Sequence, residues 1–388
     1  MTPGRETLRV ARWILALALC LVPIGARAAP VVLSRGINIT GWFRYPASRD
    51  PAVLASYLSD RALADLHHAG FDFVRLAIDP DGVDTSVLIT AIRRIQRQGL
   101  TVVVSPHPQD WHLEAGGDRL RRFWRTLAPA LRELDPARTV PEVLNEPVFP
   151  GDPSDWAALQ HAVLADIRRA LPDATVLLTG QDWGSIGGLL AMTPEDDPNV
   201  IYSVHFYDPS ELTSLAAYRF GMDRVALASL PFPATDRPRC EAAASAAADP
   251  STRDLMLYYC ALGWDEPRVA AAIERAAAWG RSHHVPVLAG EFGASAALNR
   301  NARLAWLHSA RTAFEARGIG WALWGYDDIM GLAVKRPPKA RPVLDQAVLT
   351  ALGLDTRGMT TLGMTTLGLK TLGLKPLGLK TLNLKTGM

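Results

Sequence analysis

The sequence predicts an α/β protein, a (β/α)8 TIM barrel with an extended loop region between strands six and seven. Eight short β-rich apolar runs alternate along the chain with stretches whose apolar residues recur at helical spacing. Several of these stretches end on glycine just before the next run, at Gly70, Gly99 and Gly318, as helix C-caps do. An open doubly wound sheet is the alternative, but no glycine-rich phosphate loop follows the first run.

The apolar runs have the near-continuous character of buried parallel strands. Strands are predicted at 35–40, 71–78, 100–106, 139–145, 174–180, 200–206, 285–292 and 318–325. Helices are predicted between them. About 80 residues separate the sixth strand from the seventh, and we expect this excursion to be a loop with some helix. In a barrel, excursions that follow a strand shape the substrate cleft.

The N-terminal segment, residues 1–28, has the pattern of a secretory signal peptide. Three arginines precede the apolar run WILALALCLVPIG, and Ala26-Arg27-Ala28 puts small residues at the two positions that a signal peptidase reads. A membrane anchor is the alternative, but the run is shorter than the roughly 20 residues that span a bilayer. We therefore expect cleavage after Ala28, a secreted or periplasmic protein, and no stable membrane insertion afterwards.

The remaining chain divides into a predicted barrel domain, residues 29–352, and a tail, residues 353–388. From Thr361 the tail repeats a five-residue unit, TLGMT, TLGLK, TLGLK, PLGLK, TLNLK. A period of five fits neither a helical face nor a strand face, so we expect a disordered low-complexity extension. No function is assigned to it.

Composition excludes some function classes. The 388 residues carry a net charge of +2, so no basic field indicates a nucleic-acid partner. Several of the 11 tryptophans stand beside polar or turn residues at the ends of apolar runs, where an aromatic face could contact a sugar. We expect no cofactor, no metal and a monomer.

The cysteines predict a disulfide in the excursion. Cys20 leaves with the signal segment, so Cys240 and Cys260 are the cysteines of the mature chain. An oxidising compartment favours a disulfide between them over a metal pair, and two free thiols are the alternative.

Chemically useful side chains stand at or just past the ends of the predicted strands. The strand ends of a barrel converge on one rim, so residues far apart in sequence become neighbours there. The residues concerned are Arg75, His107, Asn145, Glu146, His205, Tyr207, Glu291 and Trp324. Two of them, Glu146 and Glu291, close strands four and seven, and we expect them to face each other across the barrel mouth.

A facing pair of carboxylates predicts glycosidic chemistry. Retaining glycosidases use two carboxyl groups about 5 to 5.5 Å apart, one as nucleophile and one as acid/base. Glu146 is the predicted acid/base, with a pKa raised by burial and by the neighbouring negative charge. Glu291 is the predicted nucleophile, kept ionised and oriented by Arg75 and Tyr207. Asn145 is predicted to hydrogen-bond the sugar 2-hydroxyl.

These motifs resemble those of glycoside hydrolase family 5, in the clan of barrel glycosidases with catalytic glutamates on strands four and seven. The resemblance spans about residues 31 to 335. The matching segments are RGINITGWF, VRL around Arg75, PHP around His107, EVLNEP around Glu146, HFYDP around His205 and Tyr207, GEFG around Glu291, and WALW at strand eight.

The resemblance implies roles for individual residues. Arg75 supports the nucleophile, and Tyr207 pairs with it. His107 and His205 hydrogen-bond sugar and carboxylate groups. Trp324 is the platform under the sugar nearest the scissile bond, and Trp183 in TGQDWGS matches a further aromatic position. One departure is that strand three reads VVVSPHP where many members carry an acidic residue before the histidine, which makes His112 an alternative to His107.

The expected activity is retaining hydrolysis of an oligo- or polysaccharide, a β-linked glucan, most simply as an endo-β-1,4-glucanase. Mannan, β-1,3-glucan and transglycosylation are alternatives, as is a noncatalytic sugar-binding barrel. A metallohydrolase that uses His107, His112, His205 and Asp110 is a third class, but the chain lacks a His-x-His pair on strand one. We expect Glu142 to be structural and Trp321 to be packed, whereas Trp42 could lie in the core or the cleft.

Overall fold

The computed structural model describes residues 30–108, 113–148, 153–334 and 342–354. The predicted signal peptide lies outside these ranges, as does nearly all of the predicted tail. Asp110 and His112 also lie outside them. Within the described ranges, no helix is both long and apolar enough to cross a membrane.

The predicted strands form one parallel sheet that curves into a barrel. The strands are β1 (Arg35–Phe43), β2 (Phe73–Ile78), β3 (Thr101–Pro106), β4 (Thr139–Pro141), β5 (Val176–Thr179), β6 (Val200–Phe206), β7 (Val287–Phe292) and β8 (Gly320–Leu323), followed by a small antiparallel pair, β9 (Ala333–Val334) and β10 (Val343–Leu344). Hydrogen bonds join the barrel strands in the order β4-β3-β2-β1-β8-β7-β6-β5. The outer strands meet at an isolated parallel bridge between Glu142 and Leu177. The predicted barrel is therefore confirmed.

Helices occupy the connections between strands. They are α1 (Pro51–Ser56), α2 (Asp60–Ala69), α3 (Thr85–Arg97), α4 (Leu113–Leu131), α5 (Pro153–Ala170), α6 (Gln181–Gly184), α7 (Ile186–Leu190), α8 (Ser210–Thr213), α9 (Arg224–Leu227), α10 (Arg237–Ser245), α11 (Pro250–Leu262), α12 (Glu266–His283), α13 (Arg300–Glu315) and α14 (Gln346–Ala351), with a 3-10 turn at Pro136–Arg138. Asp84 begins α3 by accepting hydrogen bonds from the next turn. Gly70 ends α2 at φ 106°, a left-handed conformation that glycine adopts without strain, as its position in the sequence predicted.

The barrel interior is built in layers, because alternate residues of each strand point inward. The lowest layer is buried and apolar, and it consists of Leu33, Phe73, Val103, Val140, Leu177, Ile201, Leu288 and Ala322. Two residues further along six of the strands stand Arg75, Ser105, Glu142, Thr179, Ser203 and Gly290. The interior therefore changes from apolar to polar toward the C-terminal ends of the strands, where the predicted site residues lie.

The strand ends differ from the prediction at two places. β1 continues to Phe43, three residues past its predicted end. β4 is regular only over Thr139–Pro141, although a strand was predicted to residue 145. Beyond β4, isolated backbone hydrogen bonds hold the chain against β3: Glu142 N donates to Val104 O over 2.9 Å, and Asn145 N donates to Pro106 O over 3.0 Å. Asn145 and Glu146 therefore lie in the turn after the strand.

Helices fill much of the excursion between β6 and β7, where a loop with some helix was predicted, and the longest of them, α12, has 18 residues. Cys240 in α10 and Cys260 in α11 form a disulfide with Cα atoms 5.6 Å apart, which confirms that pairing. The excursion begins directly after Tyr207, and Ser295 N donates to Thr213 O over 2.7 Å. This bond ties the start of the excursion to the segment after β7, so both flank the barrel mouth.

Candidate active site

A β-bulge in β7 sets the direction of Glu291. The register between β6 and β7 shifts by one residue before Glu291, which leaves Gly290 as an extra residue. Leu288 faces the interior, so strict alternation would turn Glu291 outward, and the bulge turns it back. The carbonyl of Gly290 accepts from Asn38 Nδ2 over 3.0 Å, which fixes the bulge from across the sheet.

Arg75 joins two interior carboxylates. It is fully buried on β2. Its Nε and Nη2 donate to the two oxygens of Glu142 over 2.6 and 2.9 Å, and its Nη1 donates to Glu291 Oε1 over 2.6 Å. Further bonds reach Asn38 Oδ1 at 2.9 Å and Asn145 Oδ1 at 2.8 Å. Burial alone would lower the pKa of Arg75, but the charges of Glu142 and Glu291 raise it, so the guanidinium stays charged.

Both oxygens of Glu291 accept from protein donors. Oε1 binds Arg75, and Oε2 accepts from the hydroxyl of Tyr207 over 2.8 Å. Burial and the charge of Glu291 raise the pKa of Tyr207 well above its ordinary value, so the phenol remains a donor. These two donors fix the orientation of the carboxylate.

Glu146 lies beside Glu291, with His205 in contact with both. A carboxylate oxygen of each glutamate and a ring nitrogen of His205 all lie within 4.8 Å of one another. His205 Nδ1 is 3.0 Å from Glu146 Oε1 and 3.5 Å from Glu291 Oε2. The side chain of Glu146 is 26% exposed, whereas that of Glu291 is 4% exposed. Of the two carboxylates, Glu146 is therefore the one open to solvent.

The groups of this cluster shift one another's pKa. Burial raises the pKa of Glu146, but the hydrogen bond and charge of His205 outweigh burial and leave the pKa below its ordinary value. Burial lowers the pKa of His205, but the charges of Glu291 and Glu146 outweigh burial and leave it raised. The expectation of a raised pKa for Glu146 is wrong in this structure. It took account of burial and of the neighbouring carboxylate, but not of the imidazole of His205, which contacts Glu146 and lowers its pKa.

His107 and Trp324 form one wall of the site. His107 is buried at the end of β3, and its Nε2 lies 3.0 Å from Ser105 Oγ. The centres of the His107 and Trp324 rings are 6.0 Å apart. Burial and the charges of Arg44 and Arg75 hold the pKa of His107 well below its usual range, so the ring is neutral. The Arg44 guanidinium also lies 5.7 Å from the Trp324 ring.

Trp183 stands at the edge of the site on a tight turn after β5. Asp182 and Trp183 both adopt φ 58°, and Trp183 is 61% exposed. The next residue, Gly184, lies against the site, because a Cβ placed on it would be 3.4 Å from His205 Cγ. Trp183 is thus exposed and directly precedes a residue that lies against His205.

Other tryptophans and polar residues have structural positions. Trp42 and Trp321 are both fully buried, which places Trp42 in the core and confirms the expectation for Trp321. Glu142 is the buried partner of Arg75, as expected of a structural carboxylate. Asn38 is not among the residues predicted from sequence, although alternation along RGINIT places it on the inward face with Arg75.

The glutamate cluster has the contacts of an acid–base site. Both oxygens of Glu291 and Oε1 of Glu146 have protein partners. Within the part of the chain that the structure describes, His107 does not join the cluster. Among the described residues, His107 and His205 are therefore not part of one ligand set, and Asp110 and His112 lie outside the described ranges.

A family model adds to this geometry. The model of the cellulase family, glycosyl hydrolase family 5, matches residues 34–328. The chain belongs to glycosyl hydrolase family 5. The match covers every strand of the barrel, and it confirms the resemblance inferred from the motifs and the expected glycosidase class.

Curated relatives of this family 5 chain are named endoglucanases. Endoglucanase 3 of Fibrobacter succinogenes is 25% identical over 334 residues, which cover 76% of this chain and 49% of that protein. Endoglucanase C of Acetivibrio thermocellus is 22% identical over 321 residues, which cover 76% of this chain and 92% of that protein. The chain thus spans about half the length of the first relative.

Solved structures share the barrel. A mutant form of Cel5A of Thermotoga maritima in complex with cellobiose matches with a TM-score of 0.67 at 21% identity, covering 84% of this chain and 99% of that one. The cellulose synthase subunit Z of Clostridioides difficile matches with a TM-score of 0.65 at 18% identity, covering 83% and 99%. At these identities the likeness shows the fold alone.

Proposed function

We propose that the protein cleaves a β-linked glucan with retention of anomeric configuration, through a covalent glycosyl-enzyme. The observation that carries this proposal is the approach of Glu146 and Glu291: one carboxylate oxygen of Glu146 lies within 4.8 Å of one carboxylate oxygen of Glu291. Retaining enzymes need such a close pair, whereas inverting enzymes leave about 6.5 to 9.5 Å between carboxyl groups for a water molecule.

The two carboxylates take different roles because their surroundings differ. Glu291 is the nucleophile, since Arg75 and Tyr207 orient it from within the barrel. Glu146 is the acid/base, since its partly exposed side chain can reach a leaving group and water. A substrate that covers this exposed part adds desolvation, which favours the protonated acid for the first step. When Glu291 is consumed in the covalent intermediate, its negative charge is lost, which favours the ionised base for the second step.

Surrounding side chains bind the sugar. Asn145 Oδ1 accepts from Arg75, so its amide NH2 is directed elsewhere and is available to the sugar 2-hydroxyl. His107 and His205 line the same site, and Trp324 and Trp183 supply aromatic faces, one beside His107 and one at the solvent edge.

The proposed substrate is a β-1,4-linked glucan cut at internal bonds, without a cofactor. Support comes from the relatives named endoglucanases and from the cellobiose complex of Cel5A of Thermotoga maritima. A mannotriose complex of the same enzyme makes mannan the first competitor. The predicted signal peptide fits a secreted or periplasmic enzyme that meets a polymeric substrate.

A substrate panel tests this proposal. We expect soluble β-1,4-glucan to be cut to mixed short oligosaccharides, and β-1,3-glucan, mannan and xylan to be cut more slowly. Glu146→Gln and Glu291→Gln should each lose about 10³-fold or more in kcat. Binding without turnover in the wild type would indicate a noncatalytic sugar-binding barrel, and loss of activity with a strong chelator would indicate a metallohydrolase.

Product stereochemistry tests the mechanism. Proton NMR of the first product should show the β-anomer, since two displacements at the anomeric carbon restore its configuration. With Glu146→Ala and an aryl β-cellobioside, added azide should restore turnover and give the β-glycosyl azide. The α-anomer as first product would contradict the nucleophilic role of Glu291.

A further inference from the structure

Two histidines of the site each follow a serine by two residues. The segment SPH places Ser105 and His107 at the end of β3, and SVH places Ser203 and His205 on β6. Because residues two apart share a strand face, each serine points into the barrel below its histidine. In β3 the pair is closed, with Ser105 Oγ 3.0 Å from His107 Nε2.

In β6 the corresponding pair is open. Ser203 is 0% exposed and His205 is 6% exposed. Neither Ser203 Oγ nor His205 Nε2 has a hydrogen-bond partner among the described residues. Buried polar atoms nearly always have a partner, from the protein or from ordered water. Two unpartnered atoms on one strand face therefore indicate a hydrogen-bonding molecule held between them.

The β-bulge brings these polar atoms together. A Cβ on Gly290 would overlap Ser203 Oγ and would lie 3.6 Å from His205 Nε2 and 3.7 Å from Arg75 Nε. The polar atoms thus gather where β7 has no side chain. A polar enclosure with several hydrogen-bonding groups is the kind of site that holds a buried water molecule.

We propose that Ser203 is a positioning residue that acts on His205 through a water molecule held at the Gly290 bulge. This water, bound to the Ser203 hydroxyl, accepts the Nε2–H of His205. The ring thereby also keeps a proton on Nδ1, between the two glutamates. A protonated imidazole has two N–H donors. The Nδ1–H is directed at Glu146, 3.0 Å away. Arg75 offers only donors, so the acceptor for Nε2–H has to be the serine hydroxyl or the water bound to it.

The charged neighbours of His205 come from several strands. Glu291 and Glu146 raise its pKa, Arg75 lowers it, and His107 is neutral. Loss of the acceptor at Nε2 destabilises the protonated ring more than the neutral ring, because a hydrogen bond from a charged donor is the stronger one. His205 should therefore release its proton at a lower pH in a variant without the hydroxyl.

Nitrogen NMR tests this directly. In protein labelled with 15N-histidine, with signals assigned by comparison with His205→Gln, Ser203→Ala should lower the titration midpoint of His205 by about one pH unit. Ser105→Ala removes the same hydroxyl from β3 and should leave that midpoint unchanged. An unchanged midpoint in Ser203→Ala would overturn the proposal. If that variant does not fold, Ser203→Cys keeps the volume with a weak acceptor and gives the same test.

A second variant and a kinetic readout address the water and the catalytic cycle. Ser203→Ala with Gly290→Ala fills the enclosure with a methyl group, so the midpoint should stay low, and a return to the wild-type midpoint would overturn the proposal. The kinetic test rests on the proposed function. Glu146 and His205 are hydrogen-bonded and titrate as a pair, so the alkaline limb of kcat/KM should move to lower pH in Ser203→Ala and not in Ser105→Ala. A lowered NMR midpoint in a protein that cleaves no glycoside would refute the proposed function and leave the role of Ser203 supported.

Discussion

Arg75 Nη1 donates to Glu291 Oε1 over 2.6 Å, while Nε and Nη2 of the same guanidinium bind Glu142. Neither Arg75 nor Glu142 is exposed to solvent. One buried cation therefore serves a carboxylate proposed to react and a carboxylate that is structural, so stability and activity are coupled through it.

Replacement of Arg75 by methionine should reduce both properties. It leaves two carboxylates buried without their cation, and removal of one partner from a buried ion pair costs about 3 to 5 kcal/mol. We expect the free energy of unfolding to fall by about that amount in denaturant titrations. Loss of a donor that orients the nucleophile should lower kcat/KM by about 10²-fold or more.

The double variant Arg75→Met/Glu142→Gln separates the two effects. It removes the unpaired charge on Glu142, so much of the lost stability should return. The kcat/KM should stay low, because Glu291 still lacks its donor. Recovery of kcat/KM together with stability would show that Arg75 does not act at Glu291.

Tyr207→Phe should lower activity. The hydroxyl donates to Glu291 Oε2 over 2.8 Å, and a hydrogen bond to a charged group contributes about 1.5 to 3 kcal/mol. We expect kcat/KM to fall by about 10- to 100-fold. Tyr259→Phe is the matched control, because that hydroxyl donates to Pro231 O in the excursion. An equal loss in both variants would contradict a specific role for Tyr207.

Much of the fold and site follows from local sequence patterns. A period of two along each strand predicts which residues point inward, and it places Arg75 and Glu142 on the interior face without knowledge of the fold. Convergence of strand ends at one rim then brings Glu146 near Glu291. The motifs were sufficient to name both glutamates as a candidate pair, and the structure brings their side chains together.

The remaining features depend on contacts between distant segments. Strict alternation through LAGEF would turn Glu291 outward, and only the register between β6 and β7 makes Gly290 a bulge. The lowered pKa of Glu146 likewise depends on His205, 59 residues further along the chain. Neither a register shift nor a contact between loop and strand is encoded in a local pattern.

Asp328 should make stability depend on pH. Its Oδ1 accepts from Met330 N over 2.8 Å, and burial raises the pKa of Asp328 from 3.8 to about 6. An acid whose pKa is higher in the folded protein binds its proton more tightly there. Its contribution to stability is therefore complete below pH 3.8 and is lost as the pH rises through about 6.

Asp328→Asn should remove this titration. We expect the free energy of unfolding of the variant to exceed that of the wild type by about 2 to 3 kcal/mol near pH 8 and to approach it near pH 4. Chemical unfolding at a series of pH values measures the difference. A difference that stays constant across the series would show that Asp328 does not titrate in this range.

The disulfide should support stability more than catalysis. Cys240 and Cys260 are 20 positions apart, and closing a loop of that size contributes about 3 kcal/mol in the chain-entropy account. Cys240→Ala/Cys260→Ala should therefore lower the free energy of unfolding by about 2 to 4 kcal/mol.

The kcat/KM of this variant at low temperature should stay close to that of the wild type, because Arg75 and Tyr207 hold Glu291 from the barrel. Thermal melts with and without reductant measure this, and the variant itself should be insensitive to reductant. A loss of kcat/KM at a temperature where the variant is fully folded would mean that the disulfide orders residues of the cleft.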